Sequence, residues 1–183
     1  ISAPMTFPIL TADGCLTPEA VAFYELRAKG GAAVVTVSEL IVHGQTGRYY
    51  PGQVLMDAPN AKDSLAMAAR AVKRHGAIPS MELSHGGKYS LPGPEYPIPY
   101  GPSDELSNGI HTVLEMPVEM IDRIIDAYGR AASLCKTAGF EMLLIHAGQG
   151  WLIEQFLSPA TNGRTDQYGG ILENRACLAL EVI

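Results

Sequence analysis

Residues 142–175 read MLLIHAGQGWLIEQFLSPATNGRTDQYGGILENR. The apolar run Met142-Leu143-Leu144-Ile145 stops at His146, and the small residues Ala147, Gly148 and Gly150 follow, with Gln149 and Trp151 set among them. That pattern predicts a buried strand that delivers a polar cluster at its carboxyl end, then a Pro- and Gly-punctuated loop, then a new helix. Polar side chains at the C-terminal tips of parallel strands are where α/β enzymes carry out their chemistry.

Working outward, the same alternation repeats along the chain. Residues 1–5 read as the end of a strand, with a turn at Pro4. Thr17-Pro18-Glu19 marks a helix start: Thr17 as N-cap, Pro18 in the first helical position, Glu19 at the positive end of the dipole. Val21, Tyr24, Leu26 and Ala28 supply its apolar face, and Gly30-Gly31 ends it. Residues 32–38 are β-branched and apolar, as in a strand covered on both faces. A loop with Gly44, Gly47, Pro51 and Gly52 precedes a helix over 60–74 with Asn60 as its cap. Residues 78–83 form the next strand. Residues 85–115 read as a long irregular segment carrying Pro92, Pro94, Pro97, Pro99 and Pro102, a length that suits an active-site cover or disorder. A helix over 117–137 has Met120, Ile121, Ile124, Ile125, Tyr128, Ala131 and Leu134 at helical spacing. A last helix starts at Glu173.

The order β-α-β-α-β-α-β-α with short apolar strands predicts a parallel sheet with right-handed crossovers. Four such units are half of a (β/α)₈ TIM barrel, which typically takes about 250 residues. The chain of 183 residues is therefore expected to be the N-terminal part of one barrel domain spanning 1–183, truncated at both ends. A small flavodoxin-like sheet is the competing architecture. In a barrel the strand tips Pro4-Met5-Thr6, Ser38-Glu39-Leu40, Glu82 to His85, and His146 would share one mouth.

Composition narrows the function. Charged residues make up 17% and hydrophobic ones 47%, the balance of a globular chain. A formal charge of -6 argues against nucleic-acid or membrane-surface partners, which call for basic patches. No apolar run approaches the ~20 residues needed to span a bilayer. Cys15, Cys135 and Cys177 are widely separated and form no CxxC pair, so no zinc ribbon or cysteine-ligated cluster can be built from them, and no metal site is expected. Odd, scattered cysteines fit a reducing cytoplasm. Homo-oligomer formation stays open.

The segment from His146 to Arg175 resembles the signature of the Old Yellow Enzyme family of FMN-dependent oxidoreductases. Within it the likeness is to the bacterial NADH:flavin oxidoreductases, which include 2,4-dienoyl-CoA reductase and bile-acid enoate reductases. Ala3-Pro4-Met5-Thr6, Tyr24 to Gly31, and Glu82 to Lys88 extend the resemblance in the right order. It implies an FMN-binding barrel that uses NADH or NADPH to reduce the activated C=C bond of a small unsaturated carbonyl compound. An iron–sulfur (4Fe-4S) cluster and FAD are implied only if a C-terminal extension exists.

The resemblance also implies roles. Pro4, Met5 and Thr6 would face the flavin N5/O4 edge, and Leu40 would bring its backbone to the ring. Glu82 stands where many members have Gln at the pyrimidine edge; a carboxylate can accept from an N–H there but donates only when protonated. His146 and Gln149 match the pair that hydrogen-bonds the substrate's carbonyl oxygen, where Gln149 replaces the usual Asn or His. Trp151 stands where most members have the Tyr that protonates the substrate α-carbon, and an indole N–H is no acid at neutral pH. The substitutes are His85 or Tyr89, or a residue of the other half of the barrel, or solvent. The segment from Arg164 to Arg175 reads as architectural, with Asp166 pairing Arg164 or Arg175. Two other readings stand beside this one: a non-flavin TIM-barrel lyase or aldolase using His146 and Glu82 for proton transfer, and an inactive fragment of a flavoenzyme.

Overall fold

Strand β1 (Ser2–Met5) pairs parallel with β2 (Val34–Ile41), and between them runs α1 (Pro18–Lys29). The structure, a computed structural model, describes residues 1–7 and 9–183. After β2 come a single turn, α2 (Gly44–Gly47), a short strand β3 (Val54–Leu55), α3 (Ala61–Lys73) and β4 (Ile78–Ser84). A 3₁₀ turn (Gly87–Tyr89) leads to β5 (Tyr100–Gly101), β6 (Glu105–Ser107) and β7 (Ile110–Glu115). Then follow α4 (Val118–Ala138), β8 (Met142–Ile145), α5 (Leu152–Leu157), α6 (Leu172–Arg175) and α7 (Cys177–Glu181). Among the described residues the main sheet has the order β1-β2-β4-β8, with β3 parallel to β2 and β8 parallel to β4. This is the strand–helix succession of a partial (β/α) barrel.

The chain divides into two compact units. The first comprises Ile1–Val42, Pro51–Leu83 and Arg130–Ile145, and the second comprises His43–Tyr50, Ser84–Gly129 and His146–Ile183. In the first, β2 is buried from Val35 onward, as a strand covered on both faces should be. It runs on to Ile41 because Leu40 and Ile41 find a second parallel partner in Val54 and Leu55. Pro4 lies inside β1 and no turn forms there; instead the β1–β2 register shifts between Ser2 and Met5, the irregularity expected where proline has no N–H to give the ladder.

Helix α1 starts as the sequence dictates: the Thr17 side chain accepts from the Ala20 N–H, with Pro18 next. Its buried stripe is Ala20, Tyr24 and Ala28, at i, i+4 and i+8, and Tyr24 on that stripe bonds the end of β1 and the middle of β2. Leu26 lies off that stripe, since two residues turn a helix by about 200°, and it is 64% exposed. In α3, Asn60 precedes the helix but makes no side-chain capping bond. Its buried face is Leu65, Ala68, Ala69 and Val72. Each large aliphatic side chain so buried contributes roughly 1.5–3 kcal/mol.

Strand β8 corrects the expectation of burial: Met142, Leu143 and Leu144 are 44, 40 and 36% exposed. The strand is the end of the sheet order, with β4 as its partner, so apolar side chains that suit an interior strand stand at an edge.

In the second unit, residues 85–115 are more ordered than the proline content suggests. β6 and β7 form an antiparallel hairpin whose turn is Asn108-Gly109, at φ 51° and 78°. Two successive left-handed residues make the turn that matches strand twist, and Asn-Gly is its preferred pair. β5 joins β7 in parallel, completing a small sheet. Arg164 is buried and fastens this region: Nη1 donates to the carbonyls of Pro102 and Met116, while Nε and Nη2 bond Asp166. The terminal helix breaks at Ala176 into α6 and α7 and does not run unbroken from Glu173.

Candidate active site

In the first unit the tips of β1, β2 and β4 carry the residues expected to cradle a cofactor. Pro4 is half-buried, while Met5 and Thr6 are exposed. The Met5 carbonyl is held by the Tyr24 hydroxyl at 2.9 Å, and Tyr24 in turn accepts from the Ser38 N–H at 3.3 Å. Burial, before any other influence, raises the Tyr24 pKa to about 12, so this phenol stays a neutral donor. It locks the end of β1 to the middle of β2.

Beside it lie two buried carboxylates. Thr6 Oγ1 donates to Glu39 Oε1 at 2.7 Å, and the Glu39 N–H donates to Glu82 Oε2 at 3.4 Å. Glu82 is 4% exposed, which rules out a surface carboxylate. Leu40 is buried, and its register partner is Val54. Glu39 belongs to the strand tip Ser38-Glu39-Leu40 but was given no role of its own by the sequence. Its signal was a charge within the last residues of an apolar strand, where a carboxylate needs a reason to be buried.

The second unit holds the remaining three. His146 follows β8 directly, and its ring lies 6.5 Å from the Trp151 ring, centroid to centroid. Gln149 is exposed and adopts φ +58°, with Gly150 next at +82°. Trp151 begins α5 and stacks on Tyr49 at 3.9 Å with the planes 25° apart, while Tyr89 meets it edge-on at 6.1 Å. The edge contact is one that aromatic quadrupoles favour, while the Tyr49 stack is nearly face to face. Trp151 therefore packs as part of an aromatic group.

His85 is enclosed. The Gly87 N–H donates to its Nδ1 at 3.0 Å, so the ring proton sits on Nε2 and points to Thr46 Oγ1 at 3.0 Å. Thr46 continues to His43 Nδ1 at 2.7 Å. Burial first, and the neighbouring His43 second, lower the His85 pKa to about 3. With both nitrogens engaged, this neutral imidazole is not placed to act as an acid. Lys88 is paired with Glu105 at 2.6 Å, and that hydrogen bond is the main cause raising its pKa. Tyr89, exposed beside Trp151, is a second phenol at this aromatic group besides Tyr49.

Among the described residues no group of three or more His, Cys, Asp or Glu could hold a metal ion, and no helix is long and apolar enough to cross a membrane.

Residues 1–183 match the model of the NADH:flavin oxidoreductase / NADH oxidase family over their whole length. The chain is 32% identical to an NADH:acrylate oxidoreductase of Vibrio harveyi, covering 100% of this chain and 18% of that protein. It is 36% identical to an NADPH dehydrogenase of Halalkalibacterium halodurans, covering 93% and 49% respectively. An old yellow enzyme homologue from Zymomonas mobilis superimposes with a TM-score of 0.87 at 26% identity, over 99% of this chain and 53% of the other. The chain thus spans about half the length of the NADPH dehydrogenase and of the Zymomonas structure.

Proposed function

The chain belongs to the NADH:flavin oxidoreductase / NADH oxidase family, the Old Yellow Enzyme group of TIM-barrel flavoproteins, and from that premise we propose that its protein reduces the activated C=C bond of an α,β-unsaturated carbonyl compound. The observation that carries this reading is the turn after β8. There His146 and Gln149, two donors, follow an apolar strand and are set in a structured loop. The relative that acts on acrylate, an unsaturated acid, supports the substrate class.

The residues of the first unit fit FMN. Met5 and Thr6 are exposed at the end of β1, and Glu82 offers an acceptor of the kind an imide N–H requires. Pro4, Met5, Thr6, Leu40 and Glu82 would hold it, with Tyr24 fixing the Met5 carbonyl. When bound, FMN supplies hydride drawn from NADH or NADPH.

The protein's part is to bind and polarise. His146 and Gln149 donate to the substrate carbonyl oxygen, and that oxygen gains negative charge as the β-carbon receives hydride. Donors already oriented there lower the barrier; loss of one such donor typically costs about 3 kcal/mol. Trp151 and Tyr49 supply an apolar wall. The α-carbon proton comes from Tyr89, from a residue of the other half of the barrel or from solvent, because the indole is not an acid and His85 is enclosed.

Two measurements test this. The full-length protein should purify yellow, with flavin released as FMN on denaturation. His146→Ala should keep its flavin and bind phenols or enones at least ~10-fold more weakly; unchanged affinity removes His146 from the site.

A further inference from the structure

Gln149 sits in the left-handed region, at φ +58°, a conformation uncommon for a residue with a side chain. The residue that follows it is held by α5. The Gly150 N–H donates to Glu154 Oε2 at 2.6 Å, and the Gly150 carbonyl accepts from Gln155 Nε2, also at 2.6 Å. Glu154 and Gln155 are consecutive, so one short helix grips both polar groups of the residue after Gln149.

Gln155 does more than hold Gly150. It is 2% exposed, and its amide nitrogen also donates to the Gly86 carbonyl at 3.0 Å while its oxygen accepts from the Lys88 N–H at 3.0 Å. One amide thus ties the turn that follows β4 to the turn that follows β8. The arrangement needs two donors facing two carbonyls and an acceptor facing an N–H, which glutamine supplies and glutamate does not. The fit is close: a Cβ on Gly87 would collide with this amide.

We propose that Glu154 and Gln155 are positioning residues that hold Gln149 in its left-handed conformation and so aim its amide at the substrate oxygen. The proposal rests on the assignment of His146 and Gln149 as the oxygen-binding pair. Neither Glu154 nor Gln155 touches substrate in this scheme. They act by removing the extended alternatives that a solvent-exposed Gln would otherwise sample, leaving a preorganised donor.

The test uses the full-length protein loaded with FMN and a phenol bearing a para-carbonyl group. Binding is followed by the long-wavelength absorbance that a phenolate gives against an oxidised flavin. His146→Ala and Gln149→Ala should both weaken the phenol and act as controls on the assignment. Glu154→Ala and Gln155→Met should weaken it about tenfold, the scale of a misplaced polar group, with flavin content and far-ultraviolet circular dichroism unchanged. Glu154→Gln keeps an oxygen that can accept from the Gly150 N–H, so it should restore affinity to within about twofold of the parent, a rescue that general loss of stability would not give. If Gln149→Ala weakens the phenol while Glu154→Ala and Gln155→Met do not, the positioning roles are overturned and the oxygen-binding pair stands. If His146→Ala and Gln149→Ala leave the phenol unaffected, the oxygen-binding pair itself falls. Should either Glu154→Ala or Gln155→Met fail to load flavin, the other carries the same test.

Discussion

The indole of Trp151 lies face to face with the ring of Tyr49, centroids 3.9 Å apart. Trp151 is thus held by packing, and its indole N–H is a hydrogen-bond donor but not an acid at neutral pH. Trp151→Tyr puts an ionisable hydroxyl at that position and keeps an aromatic face for Tyr49. Alkene reduction should be retained or raised, at a stability cost of about 1 kcal/mol from the smaller stack. Rapid mixing of the reduced enzyme with an enone across a pH series measures the step. A fall of tenfold or more would show that the indole itself is required.

His85 makes stability depend on pH. Its folded pKa, lowered to about 3 by burial, lies below the 6.5 it has when unfolded. Between those values the unfolded chain binds the extra proton, so stability is fully present above pH 6.5 and is lost as pH falls towards 3. The slope approaches 1.4 kcal/mol per pH unit inside that window. Urea unfolding at pH 7.5 and 5.0 should show the loss, and His85→Gln should flatten it. An equal slope in the variant would mean that other groups govern the acid limb.

Gly47 makes room for that imidazole. A Cβ there would stand 2.6 Å from His85 Cδ2, and the ring is held by Thr46 and Gly87 and cannot swing away. Gly47→Ala should destabilise by about 1–3 kcal/mol through overpacking. A urea midpoint equal to that of the parent would show that the loop has slack.

How much of this was legible differs from element to element. The limits of β8 followed from four apolar residues between Glu141 and His146, and the start of α1 from Thr17-Pro18-Glu19, because both signals are local. The exposure of β8 was not legible, since burial of a strand is decided by its neighbours in the sheet. The β6–β7 hairpin could have been found. Asn108-Gly109 is a strong turn signal, but the prolines upstream coloured the whole segment as irregular. Helix α5 was hidden by its short length between Gly150 and Pro159, and with it the grip of Glu154 and Gln155. The oxygen-binding candidates were visible as residue types, whereas the left-handed turn that presents Gln149 depends on hydrogen bonds from residues five and six positions on.

The hairpin offers a test of its own. Nothing lies within 4 Å of a Cβ added at Gly109, so Gly109→Ala isolates the cost of φ +78° from any clash. That cost should be about 1 kcal/mol. Faster amide exchange over residues 110–115, with the main sheet unchanged, is the expected readout. Equal protection would mean that the turn relaxes to another type without loosening the strands.

Arg164 is the buried charge on which the second unit depends. Its side chain is 3% exposed and Asp166 Oδ2 lies 2.5 Å from Nη2; the same guanidinium hydrogen bond is the main cause that holds the Asp166 carboxyl below its usual range. Nη1 meanwhile serves two carbonyls that border the small sheet, those of Pro102 and Met116. A lysine is a single charged point and cannot serve Asp166 and both carbonyls in this fixed fork. Arg164→Lys should therefore leave buried carbonyls unsatisfied and cost about 2–3 kcal/mol. Because Asp166 is partly exposed, Asp166→Asn should cost less, about 1 kcal/mol. Denaturant melts of the two variants give the comparison. An Asp166→Asn loss as large as that of Arg164→Lys would show that the ion pair, and not the carbonyl fork, fixes the segment.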